Sequence, residues 1–321
     1  GNRFEDIRLH VLGEHLDEVI AENPDGTQIR TQIYPDHTRS VINRVDSPDL
    51  PFNWTINPYR GCEHGCIYCY ARPGHEYLGL SCGIDFETKI LAKHDAPELL
   101  RHELSKPNWL GEHISMSGVT DCYQPIEARL RITRRILEVC NEFAQPISIV
   151  TKNRLVLRDL DLLASLARHN AAHAAISITT LDNKLAAKME PRASSPRERL
   201  QAVRELSAAG IPTMVMVAPI IPAINESEVP AILAAAAQAG ACGAGYVVLR
   251  LPYQIKALFL DWLQRHYPDR AAKVEHAIRD MRDGELYSAE YFSRHQGEGP
   301  RARQIGEMFQ LFKRRHGLDR K

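Results

Sequence analysis

Cys62, Cys66 and Cys69 fall within eight residues of a 321-residue chain, in the run Asn57-Pro58-Tyr59-Arg60-Gly61-Cys62-Glu63-His64-Gly65-Cys66-Ile67-Tyr68-Cys69-Tyr70-Ala71-Arg72. Thiolates at intervals of four and three can converge on one soft metal site, and Gly61 and Gly65 permit the backbone turns that wrap a loop around it. No fourth cysteine stands nearby. Structural zinc wants a closed tetrahedral set, whereas a reactive site keeps one position open, so the open set of three favours reactive chemistry. His64 is the candidate fourth zinc ligand, but it sits between the first two cysteines, where ring closure would be strained. Structural zinc and three packed, metal-free thiols stay open as competing readings.

The remaining cysteines add little. Seven in a chain of this length are too few and too uneven for a disulfide framework, which points to a reducing compartment. Cys140 and Cys242 read as packed thiols, and Cys82 follows the cluster loop with no grouped ligands for a second cluster. Fourteen histidines show no Glu-x2-His pair. Forty basic residues balance forty acidic ones, so no global field announces a nucleic-acid or membrane partner. Residues 301–321 form a locally basic tail with seven Lys or Arg against two acids.

The first residues lack the apolar core of a signal peptide, a twin-Arg motif and a lipidation pattern, which predicts a cytoplasmic protein. The most apolar window, 231–249, is interrupted by Gln238, Gly240, Gly243 and Gly245. It reads as an Ala-rich helix followed by a strand, not as a membrane span.

Positioning three thiols requires a scaffold, and the pattern supplies one. Residues 1–50 are polar and turn-rich, with Asn23-Pro24-Asp25-Gly26 as a turn, and read as an N-terminal extension. Short apolar runs at 54–56, 113–117, 147–151, 175–180, 213–218 and 246–251 read as strands. Between them lie stripes of helical period, such as Leu160, Leu163, Leu166 and Ala167, or Leu200, Val203 and Leu206. Ser195-Pro196 reads as N-cap and N1 of the latter helix, and Gly210-Ile211-Pro212 closes it. Six strands with crossover helices predict a parallel α/β array over 51–253, followed by a helical C-terminal region, 254–321. A half-barrel and a doubly wound sheet both fit, and both put their chemistry at the C-terminal strand ends.

The spacing Cys-x3-Cys-x2-Cys, with Tyr68 immediately before the last cysteine and the motif near the end of the first strand, resembles the signature of the radical S-adenosylmethionine (SAM) superfamily. The loop with tyrosines on both sides of the third cysteine is similar to the spore photoproduct lyase branch. So are the stretches from Thr120-Asp121-Cys122-Tyr123-Gln124-Pro125-Ile126-Glu127 and from Glu190-Pro191-Arg192 through Arg199-Leu200. The resemblance implies a partial (βα)6 barrel, with Cys62, Cys66 and Cys69 holding a 4Fe–4S cluster whose fourth iron chelates SAM. It further implies reductive cleavage of SAM to a 5′-deoxyadenosyl radical that abstracts hydrogen from a substrate.

By the same resemblance Ser117 and Gly118 should serve the SAM amino group, Lys152 the carboxylate, and Ser177 or Thr179 the carboxylate or ribose. Pro219 and the backbone near Tyr68 should line the adenine. Spore photoproduct lyase carries a hydrogen-donating cysteine just beyond its second strand, where this chain has Gly118 or Val119. Cys122, with Tyr70, is therefore the candidate donor, or else the reaction differs. Glu190 and Arg192 precede a helix and read as a structural ion pair, with reaching the site as the alternative. The substrate classes implied are nucleic acid or another macromolecule, with a peptide or small metabolite as the alternative. A non-catalytic metal-bearing protein that uses the basic tail is the third reading. An external one-electron donor such as flavodoxin or ferredoxin is implied, and no membrane partner.

Overall fold

The β-branched runs of the sequence become the parallel strands of one sheet in a computed structural model, which describes residues 31–319. The strands are β1 (Gln32–Pro35), β2 (Asn43–Arg44), β3 (Trp54–Ile56), β4 (Tyr59–Arg60), β5 (Lys89–Ala92), β6 (Ile114–Met116), β7 (Ile147–Thr151), β8 (Ala172–Ser177), β9 (Thr213–Ile220) and β10 (Gly243–Val248). The main sheet runs β10-β9-β8-β7-β6-β3-β2, and every pairing from β3 to β10 is parallel. Within it, strand order follows chain order without reversal. Right-handed crossovers then place successive helices on the same face, so the sheet curls toward an open barrel and is not doubly wound. The partial (βα)6 barrel is the observed architecture.

The helical face is apolar for the reason the periodicity indicated. Leu163 and Leu166 of the helix Leu160–Ala167 and Val203 and Leu206 of the helix Pro196–Ala208 are buried in the main core with Ile149, Ile176 and Val215 of the sheet. The latter helix begins with a capping box. The Ser195 hydroxyl accepts from the Glu198 N–H at 3.3 Å, and the Glu198 carboxylate accepts from the Ser195 N–H at 2.9 Å. Two of the N–H groups left over at the helix start are thereby satisfied, while Gly210, at φ +78°, ends the segment.

Several boundaries differ from the sequence reading. The fourth run, expected at 175–180, forms its strand three residues earlier, and the sixth, expected at 246–251, does likewise. In both cases the ladder stops where the chain turns toward the carboxyl end of the sheet, leaving Thr179, Thr180, Leu249 and Leu251 buried but unladdered. The turn at 23–26 lies outside the described residues. Residues 31–50 are not merely turns. There β1 pairs in parallel with β5, and β2 adds an antiparallel edge to β3.

β5 also takes β4 as an antiparallel partner, giving a small second sheet, β1-β5-β4. The cysteine run thus leaves β4, and not the barrel's first strand directly. The 231–249 window folds as the helix Val229–Gln238 followed by β10. No helix among the described residues is long and apolar enough to cross a membrane. The helix Gly299–Arg315 buries Ala302, Ile305 and Phe309 against the core, with Phe309 on Tyr246 at 4.6 Å between ring centroids.

Ser195→Ala removes the cap that starts the helix bearing Arg199, and should lower stability by about 1 kcal/mol in a urea titration with an unchanged slope.

Candidate active site

Residues 61–70 form a loop laid across the carboxyl ends of the strands. Gly61 and Gly65 both have positive φ, +82° and +68°. A methyl on Gly61 would stand 2.8 Å from the His75 ring and 2.9 Å from the Phe86 carbonyl oxygen, and one on Gly65 would stand 2.7 Å from both Arg192 and Glu87. Backbone sign and close approach together require glycine at these two turns.

The turns bring Cys62, Cys66 and Cys69 into one another's field. Burial pushes all three thiols up in pKa, Cys66 to about 12. Cys66 and Cys69 raise Cys62 further, and Cys69 raises Cys66. Backbone N–H groups face the sulfurs, that of His64 toward Cys62 and those of Ala71 and Arg72 toward Cys69. Among the described residues no three His, Cys, Asp or Glu side chains are close enough to hold a single ion. Three buried thiols within one another's field, with N–H donors on their sulfurs, fit an iron–sulfur cluster. Binding must release the thiol protons that burial now retains.

A buried loop must satisfy its own backbone, and here charged and amide side chains do so. Arg72 is almost wholly buried. It donates to the carbonyls of Cys66 (3.0 Å), Cys82 (3.2 Å) and Gly83 (2.9 Å), and pairs with Glu87 at 2.5 Å. Glu87 also pairs with Arg192, whose side chain donates to the Glu63 carbonyl and whose N–H donates to the His64 carbonyl at 3.2 Å. Gln124 accepts from the Glu63 N–H (2.8 Å) and donates to the Gly61 carbonyl (3.1 Å).

Two carboxylates set the floor of the site. Asp121 accepts from the Lys152 N–H and the Thr151 hydroxyl, both at 2.8 Å, and its Oδ2 lies 3.4 Å from His64 Nδ1. Burial depresses the His64 pKa to about 4, so the ring is neutral. Glu190 is fully buried. It pairs with Arg199 and accepts from the Tyr68 and Thr179 hydroxyls, the latter at 2.6 Å. Burial alone would raise its pKa, but Arg199 and Lys152 hold it at about 2.

The predicted residues then sort by what they touch. The Lys152 amine lies 5.9 Å from the centroid of the Tyr68 ring and within the field of Cys66 and Cys69. No carboxylate among the described residues reaches it at ion-pair distance. The half-exposed Tyr70 donates to the Gly118 carbonyl, tying the cysteine loop to the end of β6. Ser117 and Pro219 flank the same mouth, but the Ser117 hydroxyl is taken up by the Cys122 N–H at 2.9 Å, and the Pro219 carbonyl accepts from Asn225 at 3.0 Å. Ser177 is buried, with its carbonyl held by Arg199 at 3.1 Å. The Thr179 hydroxyl serves Glu190 and the Ala218 carbonyl (3.2 Å), so it is committed to the framework and not to a ligand.

Cys122 is a correction. It is fully buried in the main core with Tyr59, Ile132 and Ile136, and its N–H is bonded to the Ser117 hydroxyl. Burial raises its pKa well above the ordinary thiol value, and the nearby charges are Asp121, Glu127 and Asp159, not the cluster cysteines. Its strand-end position suggested the cavity, but the following turn directs it inward, and it is not carried forward as a hydrogen donor. Cys82 faces Glu76 and Arg72, away from the three cysteines, and Cys140 is a core thiol. Glu190 and Arg192 pair with Arg199 and Glu87 and not with each other, and Glu190 also reaches the site through Tyr68. Sequence reasoning missed the roles of Asp121, Gln124 and Arg72, all of which lie within the quoted motif stretches; a polar residue in an apolar run was the available signal.

Comparison with known proteins identifies the family and the fold. A family model described as the radical SAM superfamily matches residues 56–236. An uncharacterized protein of Mycobacterium tuberculosis is 36% identical over 244 residues, 75% of this chain and 72% of that protein. A protein of Pseudomonas phage M6 named radical SAM Nalpha-GlyT isomerase is 28% identical over 169 residues, 52% of this chain and 33% of its own. Among solved structures, spore photoproduct lyase complexed with dinucleoside spore photoproduct shares the fold at a TM-score of 0.63 and 17% identity, covering 95% of this chain and 92% of that one.

The ordinary glutamate value is 4.5 and the folded value of Glu190 about 2, so the unfolded chain takes up this proton first as pH falls. The stability Glu190 contributes is therefore complete above pH 4.5 and is lost as pH falls toward 2. Glu190→Gln strands the buried Arg199 and should cost about 3–5 kcal/mol at neutral pH, and urea melts between pH 5 and 2 should show a shallower acid limb in the variant.

Proposed function

Because the chain belongs to the radical SAM superfamily, whose members use a 4Fe–4S cluster and SAM, and is thus a radical SAM enzyme, we propose that Cys62, Cys66 and Cys69 hold the cluster and that the reaction removes hydrogen from a nucleic-acid substrate. The observation that supports the site assignment is the placing of three buried thiols within one another's field and that of Lys152, whose amine has no carboxylate at ion-pair distance among the described residues. When bound, the cluster and SAM supply a 5′-deoxyadenosyl radical by one-electron cleavage of the sulfonium, using an electron from an external donor such as flavodoxin or ferredoxin.

The chain's own residues hold and orient. Asp121 fixes the Lys152 backbone so that its amine is presented to the carboxylate of SAM, and Glu190 balances Arg199 so that the Lys152 charge stays available. The Ser117–Gly118 turn is assigned to the amino group, and Ser177 and Pro219 to the ribose and adenine side. Tyr68, held by Glu190, packs with Cys66, Leu185, Met189, Leu249 and Leu251, an apolar wall that keeps water from the thiols. Tyr70 stands at the rim, half exposed, where a substrate would meet it.

Support for a nucleic-acid substrate is of two kinds. The fold is shared with a lyase solved with a dinucleoside photoproduct, and the mouth is rimmed by Tyr70 and the cations Lys152 and Arg250. Repair of that photoproduct is not proposed, because Cys122 does not reach the mouth.

Anaerobic reconstitution with iron and sulfide should give about four irons per chain and 5′-deoxyadenosine on reduction with SAM. Cys66→Ala should lose both, and a protein that binds one zinc and no iron would sink the assignment. Lys152→Met should retain the iron while weakening SAM binding about tenfold or more, as loss of a charge-assisted contact predicts; unchanged SAM affinity in a binding titration would return Lys152 to an ordinary strand-end lysine.

A further inference from the structure

Two cations lie over the two tyrosines that flank Cys69. Lys152 is over Tyr68. On the other side, the Arg250 guanidinium lies 5.4 Å from the centroid of the Tyr70 ring. Arg250 lies two residues beyond the end of β10 and Lys152 follows β7, so both residues project from carboxyl ends of barrel strands. They serve different neighbourhoods. Lys152 lies in the field of Cys66, Cys69 and Glu190, whereas Arg250 lies beside Arg282 and His295.

Around Arg250 the charges do not balance. Its Nη1 lies 3.0 Å from Nε2 of His295, and burial with the nearby Arg250 pushes the His295 pKa down to about 4, so the imidazole is neutral and accepts that bond. Asp49, the carboxylate beside His295, is occupied by Arg294 through both oxygens, at 2.5 and 2.6 Å, and by the Phe292 N–H at 3.1 Å. It reaches Arg250 only through the neutral ring, whose Nδ1 lies 3.5 Å from it. Arg282 is buried and spends its donors on the carbonyls of Leu249, Ser293 and Arg294. It anchors the residue before Arg250 while adding a third guanidinium, with Glu298 the carboxylate in its own field. Burial and Arg250 together lower the Arg282 pKa to about 10. The Arg250 Nε is itself buried without a hydrogen-bond partner among the described residues.

A buried donor on an uncompensated cation is costly, and an anion that fits removes the cost. We propose that Arg250 is a second anion seat at the mouth, separate from Lys152, and that it binds a phosphodiester of the substrate strand beside Tyr70. The inference rests on the nucleic-acid reading above and gives it a specific contact. A guanidinium with a free Nε edge over an exposed aromatic ring is a combination suited to a phosphate whose adjoining base stacks.

The test uses the reconstituted full-length protein, held anaerobically, and a fluorescent oligothymidylate of about ten nucleotides, near the site size of single-strand binders. Affinity is read by anisotropy across a salt series for wild type, Arg250→Gln and Arg250→Lys. Arg250→Gln should bind about tenfold more weakly and flatten the slope of log K against log salt by about 0.7, the value for one lost contact to single-stranded phosphate. Arg250→Lys should keep the wild-type slope. Without oligonucleotide, Arg250→Gln should melt at the wild-type temperature or above it, because an uncompensated charge has gone.

If Arg250→Gln binds with wild-type affinity and slope, the seat is overturned while the nucleic-acid reading stands. A variant that melts well below wild type, with Arg250→Lys also showing the flattened slope, would make Arg250 structural and overturn the seat as well. Wild type that fails to bind the oligonucleotide, even if inorganic phosphate stabilises it through Arg250, would overturn the nucleic-acid reading and the diester with it.

Discussion

A loop that carries three thiols into the interior takes its peptide groups with it, and every one left unpaired there would cost as much as a lost hydrogen bond. The rest of this structure is arranged around that constraint. The carbonyls of Gly61, Glu63, His64 and Cys66 and the N–H groups of Cys62, Glu63 and Ile67 are all paired, and their partners come from widely separated parts of the chain: Arg72, Phe86, Gln124, Met189 and Arg192. Each partner that is itself charged needs a counterion, which is why Glu87 lies between Arg72 and Arg192. The small sheet β1-β5-β4 is the outer wall that holds this arrangement against the barrel, since the Cys62 N–H reaches the Phe86 carbonyl just before β5.

Buried ion pairs contribute little net stability, because desolvation offsets most of the attraction. Their value here is geometric. Glu190 joins Tyr68, Thr179 and Arg199, so the residue before the third thiol is fixed to the end of β8 and to the capped helix that follows. Asp121 likewise joins the end of β6 to the end of β7 and to His64. Two strand ends and one loop are thereby held in register by a single carboxylate, and Lys152 is presented as a consequence.

The C-terminal region completes the enclosure. Ile255, Phe259, Trp262 and Leu263 of the helix Ile255–His266 pack with Cys66 and Tyr68, giving the thiols an apolar lid from a segment that contributes no cysteine. The helix Gly299–Arg315 covers β10, and the 282–295 segment brings its cations against Arg250 and Tyr70. A rim rich in guanidinium above an apolar wall separates the part of the mouth that excludes water from the part that can receive an anion.

The amino-acid sequence by itself determined what depends on neighbours along the chain. The three cysteines at fixed spacing, the two glycines that must turn between them, β3 and β7 to the residue, and the Ser195 cap are all local, because a turn, a period of two or a cap is decided within a few residues. Tertiary structure alone decided what depends on pairing at a distance. β1 was not legible because its partner β5 lies more than fifty residues on, and four residues carry no period strong enough to mark an unaided strand. The fate of Cys122 followed from the direction of one turn, which put its thiol in the core while leaving Lys152, at an equivalent strand end, in the mouth. Asp121, Gln124, Arg72 and Arg250 were visible only as polar residues, since what a buried charge does is set by the counterion that finds it, and that counterion is chosen by the fold.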